Sequence, residues 1–232
     1  MDMQELTRQE VIEYYNAFYK ADDFAYYSKS VSRRVLLALT GKARLARGAR
    51  VLDLGCGTGF YSSIFQELGY LTTGVDISST AISRAAVEHG GIPFFVGDAT
   101  RLPFRSGSFD MIFSLGVSVM NTHDIDSLHN YVRHLMKLLA PGGVLLFIGG
   151  SDLSGNRSRT SSWIYHKWEE ILQFVPKGTW RSYGPYLSHF RLLSVLGGLA
   201  LGRIMTFMLR RLPGGMVRRV VYIVKMPDNA LQ

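Results

Sequence analysis

The stretch VLDLGCGTGFYSS, residues 51–63, runs from an apolar segment into a turn with glycine at 55, 57 and 59, and then into helix-forming sequence. A glycine turn between a strand and a helix is a ligand-binding βα unit, because backbone without Cβ atoms can come close to a bound group. Its spacing excludes two phosphate-binding schemes. A dinucleotide turn reads G-x-G-x-x-G, and counting from Gly55 places Phe60 where the third glycine belongs. A P-loop ends in Gly-Lys-Ser/Thr, which is absent here.

Outward from the turn, strand and helix patterns alternate, the mark of a parallel α/β sheet. RVLDL (50–54) is the first predicted strand, followed by the helix FYSSIFQELG closed at Gly69. LTTGVDI (71–77) is the second strand. Ser78 or Ser79 then caps the helix TAISRAAVEH, which Gly90 ends. IPFFVG (92–97) and FDMIFSLGV (109–117) are the third and fourth strands. Leu128, Tyr131, Val132, Leu135, Leu138 and Leu139 form one apolar helical stripe, begun by Asp124 or Asp126 and stopped at Pro141-Gly142. GVLLFIG (143–149) and RRVVYIVKM (218–226) complete the strands, and residues 4–46 are helical in pattern.

With these elements in order, four stretches resemble the class I S-adenosylmethionine-dependent methyltransferases: VLDLGCGTG, GVDIS (74–78), GDATRLPFRSGSFDMIFSLGV (97–117) and LLAPGGVLLF (138–147). The third is similar to the subgroup of quinone-biosynthesis and small-molecule methyltransferases. The resemblance implies an α/β fold with a Rossmann-like, seven-stranded, mostly parallel sheet and helices on both faces. It divides one domain into a helical cap (1–48), a cofactor-binding core (49–150), an acceptor-binding cover (151–215) and a final strand (216–232).

The implied cofactor is S-adenosylmethionine, with S-adenosylhomocysteine as product. Its zwitterionic amino acid, sulfonium and adenosine carry no phosphate. The turn Gly55-Cys56-Gly57 with Gly59 would admit it closely, and Asp53 would support the turn and hold the ammonium. Asp76, at the tip of the second strand, would accept both ribose hydroxyls. Asp98 with Ala99 would meet the adenine amino group, Ile77 and Leu102 would cover its ring, and Ser114 and Leu115 would line the methionine side. No metal is called for.

The reaction expected is methyl transfer by in-line displacement to a small, moderately apolar acceptor, at oxygen. A methyl on sulfonium is already electrophilic, so alignment and exclusion of water are the main requirements. A base serves only where the nucleophile must lose a proton. His123, just past the fourth strand, is the base candidate, and Tyr15 and Tyr19 are candidates to bond the acceptor. His166 is a weaker one. The fourth strand ends in SLGV and not in the Asn/Asp-Pro-Pro-aromatic signature of base amino-group methylation. The single cysteine, Cys56, lies inside the turn and offers no covalent nucleophile.

Two alternatives stand beside this one, an RNA methyltransferase and a catalytically silent cofactor-binding module. The net charge is +8, and residues 151–232 carry 12 basic against 4 acidic groups. That asymmetry suits RNA or an anionic membrane met peripherally through residues 192–219, where the apolar 192–202 run is too short to span a bilayer. No RNA-binding module accompanies it, which favours the small-molecule acceptor. Trp163, Trp168, Trp180, Arg157, Arg159 and Arg181 would shape the acceptor pocket. The polar, acidic N-terminus has no apolar signal segment, so a cytoplasmic location is expected.

Overall fold

The computed structural model describes residues 6–21, 29–152, 164, 166–175, 180–186 and 219–225. In chain order the elements are α1 (Arg8–Lys20), α2 (Lys29–Lys42), β1 (Arg50–Leu54), α3 (Phe60–Glu67), β2 (Leu71–Asp76), α4 (Ser79–Glu88), β3 (Phe94–Val96) and β4 (Phe109–Leu115). A 3-10 turn (Ser118–Met120), α5 (Ile125–Leu138), β5 (Leu139–Asp152), β6 (His166–Lys167), α6 (Trp168–Phe174), β7 (Trp180–Tyr186) and β8 (Arg219–Lys225) follow.

The sheet runs β3-β2-β1-β4-β5-β8-β7, with β6 pairing beside β5. The first five strands are parallel neighbours, whereas β8 is antiparallel to both β5 and β7. That path carries the seven strands of the expected fold. The chain winds outward from β1 to β3 and then returns to β4 beside β1. The crevice at such a reversal, at the carboxyl ends of the strands, is where open α/β sheets hold ligands.

Alternation along the strands divides the core into two layers. Leu52, Leu54, Ile112, Leu145 and Phe147 face one side, where the predicted stripe of α5 covers them with Leu128, Tyr131, Val132 and Leu135. Val51, Met111, Phe113, Leu146 and Ile148 face the other, against Leu36 and Leu39 of α2 and Ile64 and Phe65 of α3. Strands covered on both sides read as continuous apolar runs, which is why VLDL and MIFSL were legible.

Local chemistry settles the element ends. Ser78 caps α4, its Oγ accepting from Ala81 N at 3.1 Å, and Asp124 caps α5 through Ser127 N. Two ends differ from expectation. Helix α4 stops at Glu88, and the left-handed residue is Gly91, not Gly90. Helix α5 gives way to strand already at Leu139, which pairs with Phe109. The next pair is Met111 with Val144, so Pro141-Gly142 lies in a bulge of β5 and does not separate two elements.

Candidate functional site

The carboxyl ends of β1, β2, β3 and β4 and one face of α1 enclose a pocket. Leu54 and Gly55 come from β1, Asp76 and Ile77 from β2, Gly97, Asp98 and Ala99 from beyond β3, and Leu115 to Val119 from β4 and its turn; Tyr15 and Tyr19 close it from α1.

Hydrogen bonds to the neighbouring strand pin the glycine turn. Gly55 N and Cys56 N both donate to Val75 O, at 2.8 and 3.0 Å. Gly55 has φ +75°, and a Cβ there would lie 2.8 Å from Val117 Cγ2, so glycine is required beside the pocket wall. Gly59 is required for a different reason. At φ +81°, its Cβ would meet His89 and Phe94 at 2.8 Å, which makes it a packing glycine behind the site.

Asp76 is buried at the tip of β2. Its Oδ2 accepts from Gly57 N and its Oδ1 from Ser78 N, each at 2.9 Å, so the carboxylate ties the turn to the start of α4. Burial raises its pKa, and the backbone donors of Ser78 and Gly57 oppose that. Asp53 is buried one layer deeper, 2% exposed, and accepts from Ser62 Oγ of α3 at 2.5 Å. Burial pushes its carboxyl up to about 7; the Ser62 bond works against this and the nearby Asp76 charge adds to it. The Cys56 thiol is pushed well up by burial and then by the two carboxylates, so it stays protonated.

Asp98 stands at the rim. Burial works to raise its pKa, but donors outweigh this and hold it below the ordinary value: Thr100 N and Oγ1, both at 2.8 Å from Oδ1, and Arg8 Nε at 2.8 Å from Oδ2.

Helix α1 is fastened across the pocket at further points. Asn16 Oδ1 accepts from Ser78 Oγ at 2.7 Å and from Thr80 N at 3.2 Å, and Arg84 Nη1 donates to Tyr19 O at 2.9 Å. Tyr15 shares a hydrogen bond with the Ser118 side chain, and burial pushes its hydroxyl to about 12. It is therefore a hydrogen-bonding hydroxyl and not a base at neutral pH.

Among the expected site residues, Gly55, Asp76, Ile77, Asp98, Ala99, Leu115, Tyr15 and Tyr19 meet at this pocket. Asp53, Cys56, Gly57 and Gly59 form the support behind it. Ser114 is fully buried on the sheet and outside the lining, and Leu102 lies in the core layer under α5. The structure does not bring His123 to the pocket: the 3-10 turn folds back, Asn121 is buried, and His123 is exposed outside the lining. His166 is also elsewhere, buried with Nε2 3.0 Å from Met120 O and Nδ1 3.5 Å from Glu170. Trp163, Arg157, Arg159 and residues 192–209 lie outside the described residues, while Trp168, Trp180 and Arg181 fall in α6 and β7. Sequence reasoning missed Val117, Ser118, Arg8 and Asn16. Only proximity to the end of β4 could have signalled the first two.

The donor set has a chemical bias. Among the described residues the pocket lining holds two carboxylates and no lysine or arginine. A phosphate would face like charge there, whereas sugar hydroxyls, an amino group and a sulfonium find acceptors. The residues fit the phosphate-free cofactor that the motifs imply.

Comparisons with known proteins agree with this geometry. The family described as "Methyltransferase domain" matches residues 52–147. A malonyl-[acyl-carrier protein] O-methyltransferase from Enterobacter lignolyticus is 31% identical over 131 residues, 56% of this chain and 51% of that protein. A 2-methyl-6-phytyl-1,4-hydroquinone methyltransferase from Synechocystis is 34% identical over 110 residues, 46% of this chain and 33% of that one. The chain thus spans about half the length, or less, of these curated relatives. In fold it is similar to Haemonchus contortus phosphoethanolamine N-methyltransferase 2 solved with S-adenosylmethionine, at TM-score 0.59 and 20% identity, covering 84% of this chain and 52% of that one. Among the described residues no helix is long and apolar enough to cross a membrane. Residues 52–147 match the methyltransferase-domain family, and the chain that carries them shares its fold with solved methyltransferases.

Proposed function

We propose that this chain is an S-adenosylmethionine-dependent methyltransferase acting on an oxygen of a small, moderately apolar acceptor. One observation carries the reading: a pocket at the sheet's reversal point lined, among the described residues, by Asp76 and Asp98 and by no cationic side chain. Asp76 accepts the ribose hydroxyls with the lone pairs that Gly57 N and Ser78 N leave over, and Asp98 takes the adenine amino group. Ile77 and Ala99 flank the ring. Gly55 lets the backbone reach the amino-acid portion, and Asp53 supports the turn from behind. Bound there, the cofactor supplies an activated methyl group on a sulfonium.

The protein's own work is alignment and exclusion of water. Tyr15 and Tyr19 cover the pocket and offer hydroxyls to the acceptor or the cofactor carboxylate. Since His123 lies outside the described lining and Tyr15 holds its proton, the lining offers the acceptor hydroxyl donors, its two carboxylates being taken up by the cofactor. That suits an acceptor oxygen already ionised at neutral pH. The named activities of two relatives, O-methylation of malonyl-[acyl-carrier protein] and methylation of a phytyl hydroquinone, support an oxygen or lipid-like acceptor. In this reading residues 1–48 cap the site, 49–150 hold the cofactor, 151–215 cover the acceptor and 216–232 complete the sheet.

Calorimetry with S-adenosylmethionine and S-adenosylhomocysteine tests the site. Two charge-assisted bonds lost in Asp76→Ala weaken binding by about 100-fold or more. Undiminished affinity in that variant, or no binding by the wild type, would sink the reading. Transfer of a labelled methyl into a pool of small metabolites then identifies the acceptor.

A further inference from the structure

Residues 29–50 carry seven basic residues and no acid. Lys29 pairs with Glu67 at 2.6 Å and Arg50 with Asp110 at 2.8 Å. Arg33, Arg34, Lys42, Arg44 and Arg47 are all exposed, and none has a carboxylate partner among the described residues.

The pattern on α2 separates into two faces. Ser32, Leu36, Leu39 and Thr40 are buried against the sheet and α3. The opposite face carries Arg33 and Arg34, then Leu37, Ala38 and Gly41, then Lys42, with Arg44 just beyond. Leu37 is 51% exposed, one turn from Arg33 and Arg34. A Cβ added at Gly41 would meet nothing within 4 Å. An apolar, small-residue strip therefore faces outward with cations at both ends. Helical spacing that only served the core would leave polar residues there.

We propose that the outward face of α2 docks on an anionic lipid surface. Each cation brought near an anionic leaflet strengthens binding about fivefold, and Leu37 is placed to enter the boundary between headgroups and acyl chains. Nucleic acid would engage the cations but leave the apolar strip against phosphates, and among the described residues no aromatic on this face could stack on a base. A protein partner would be anchored by an aromatic side chain, and the described residues of this face include none. The surface stands on α2 alone and does not depend on what the pocket binds.

Co-sedimentation of the full chain with vesicles tests it. Wild type binds vesicles containing phosphatidylglycerol, does not bind phosphatidylcholine vesicles, and is released as salt rises. Arg33→Gln, Arg34→Gln, Lys42→Gln and Arg44→Gln combined lose more than about 100-fold in partition. Leu37→Ser loses about threefold to tenfold with the salt dependence retained. Far-UV circular dichroism establishes that the variants are folded. Three results would overturn the proposal: equal binding to both vesicle types, unchanged binding by the folded quadruple variant, or displacement from vesicles by polyuridylate or polyglutamate at matched charge, which would assign the face to RNA or to an acidic protein.

Discussion

Asp53 makes stability depend on pH in an unusual direction. Its carboxyl is held at about 7 in the folded chain, against 3.8 as the ordinary value. Most native carboxylates are shifted down and favour the fold above their unfolded pKa. Here the folded state binds the proton more tightly, so Asp53 contributes most below about pH 4, and that contribution is lost as pH rises to about 7. The gap amounts to about 4 kcal/mol. Asp76, also raised by burial, acts in the same direction. Asp53→Asn isolates the effect: Ser62 Oγ still has an amide oxygen to donate to, and the side chain is neutral at every pH. The amide brings one donor more than the protonated acid, which costs about 1–3 kcal/mol. The variant is therefore the less stable near pH 4 and equal or more stable near pH 8. Urea unfolding followed by circular dichroism across that range reads the difference, whose expected swing is about 4 kcal/mol. Parallel stability curves, or a wild type that gains stability between about pH 4 and 7, would refute the reasoning.

Gly59→Ala combines a left-handed backbone with a Cβ driven against His89 and Phe94, and should cost about 1–3 kcal/mol, seen as a lowered Tm; an unchanged Tm would contradict the packing role. Arg8→Gln removes an exposed ion pair to Asp98 and should speed cofactor release by about twofold to fivefold in stopped-flow measurements, with the difference fading at high salt. A rate unaffected by both the substitution and salt would show that the pair does not hold α1 over the pocket.

What could be read from the sequence was what local chemistry determines. Strands covered on both sides announced themselves as apolar runs, the α5 stripe by its spacing, and the turns by glycine. Asp76 and Asp98 marked the pocket, with Asp53 behind it, because strand ends must converge at the sheet's reversal. Contacts between distant segments were invisible. Nothing around Arg8 or Asn16 signals that they meet Asp98 and Ser78, which lie 90 and 62 positions away. His123 lies outside the described lining for a related reason: being close to β4 in sequence does not decide which way the following turn sends the chain. The basic stretch at 29–50 was hidden by arithmetic, since the acidic residues before it cancel its charge in any count over the first hundred positions.

The bond from Asn16 to the first turn of α4 ties two events together. Thr80 N and Ser78 Oγ both lean on a carbonyl oxygen that belongs to α1. When α1 lifts to let a ligand in or out, α4 must give up part of its cap in the same step. Ligand traffic would then register as faster amide exchange at Thr80, a site some distance from the reacting atoms. Ligand exchange would be read from the backbone of a helix outside the described pocket lining.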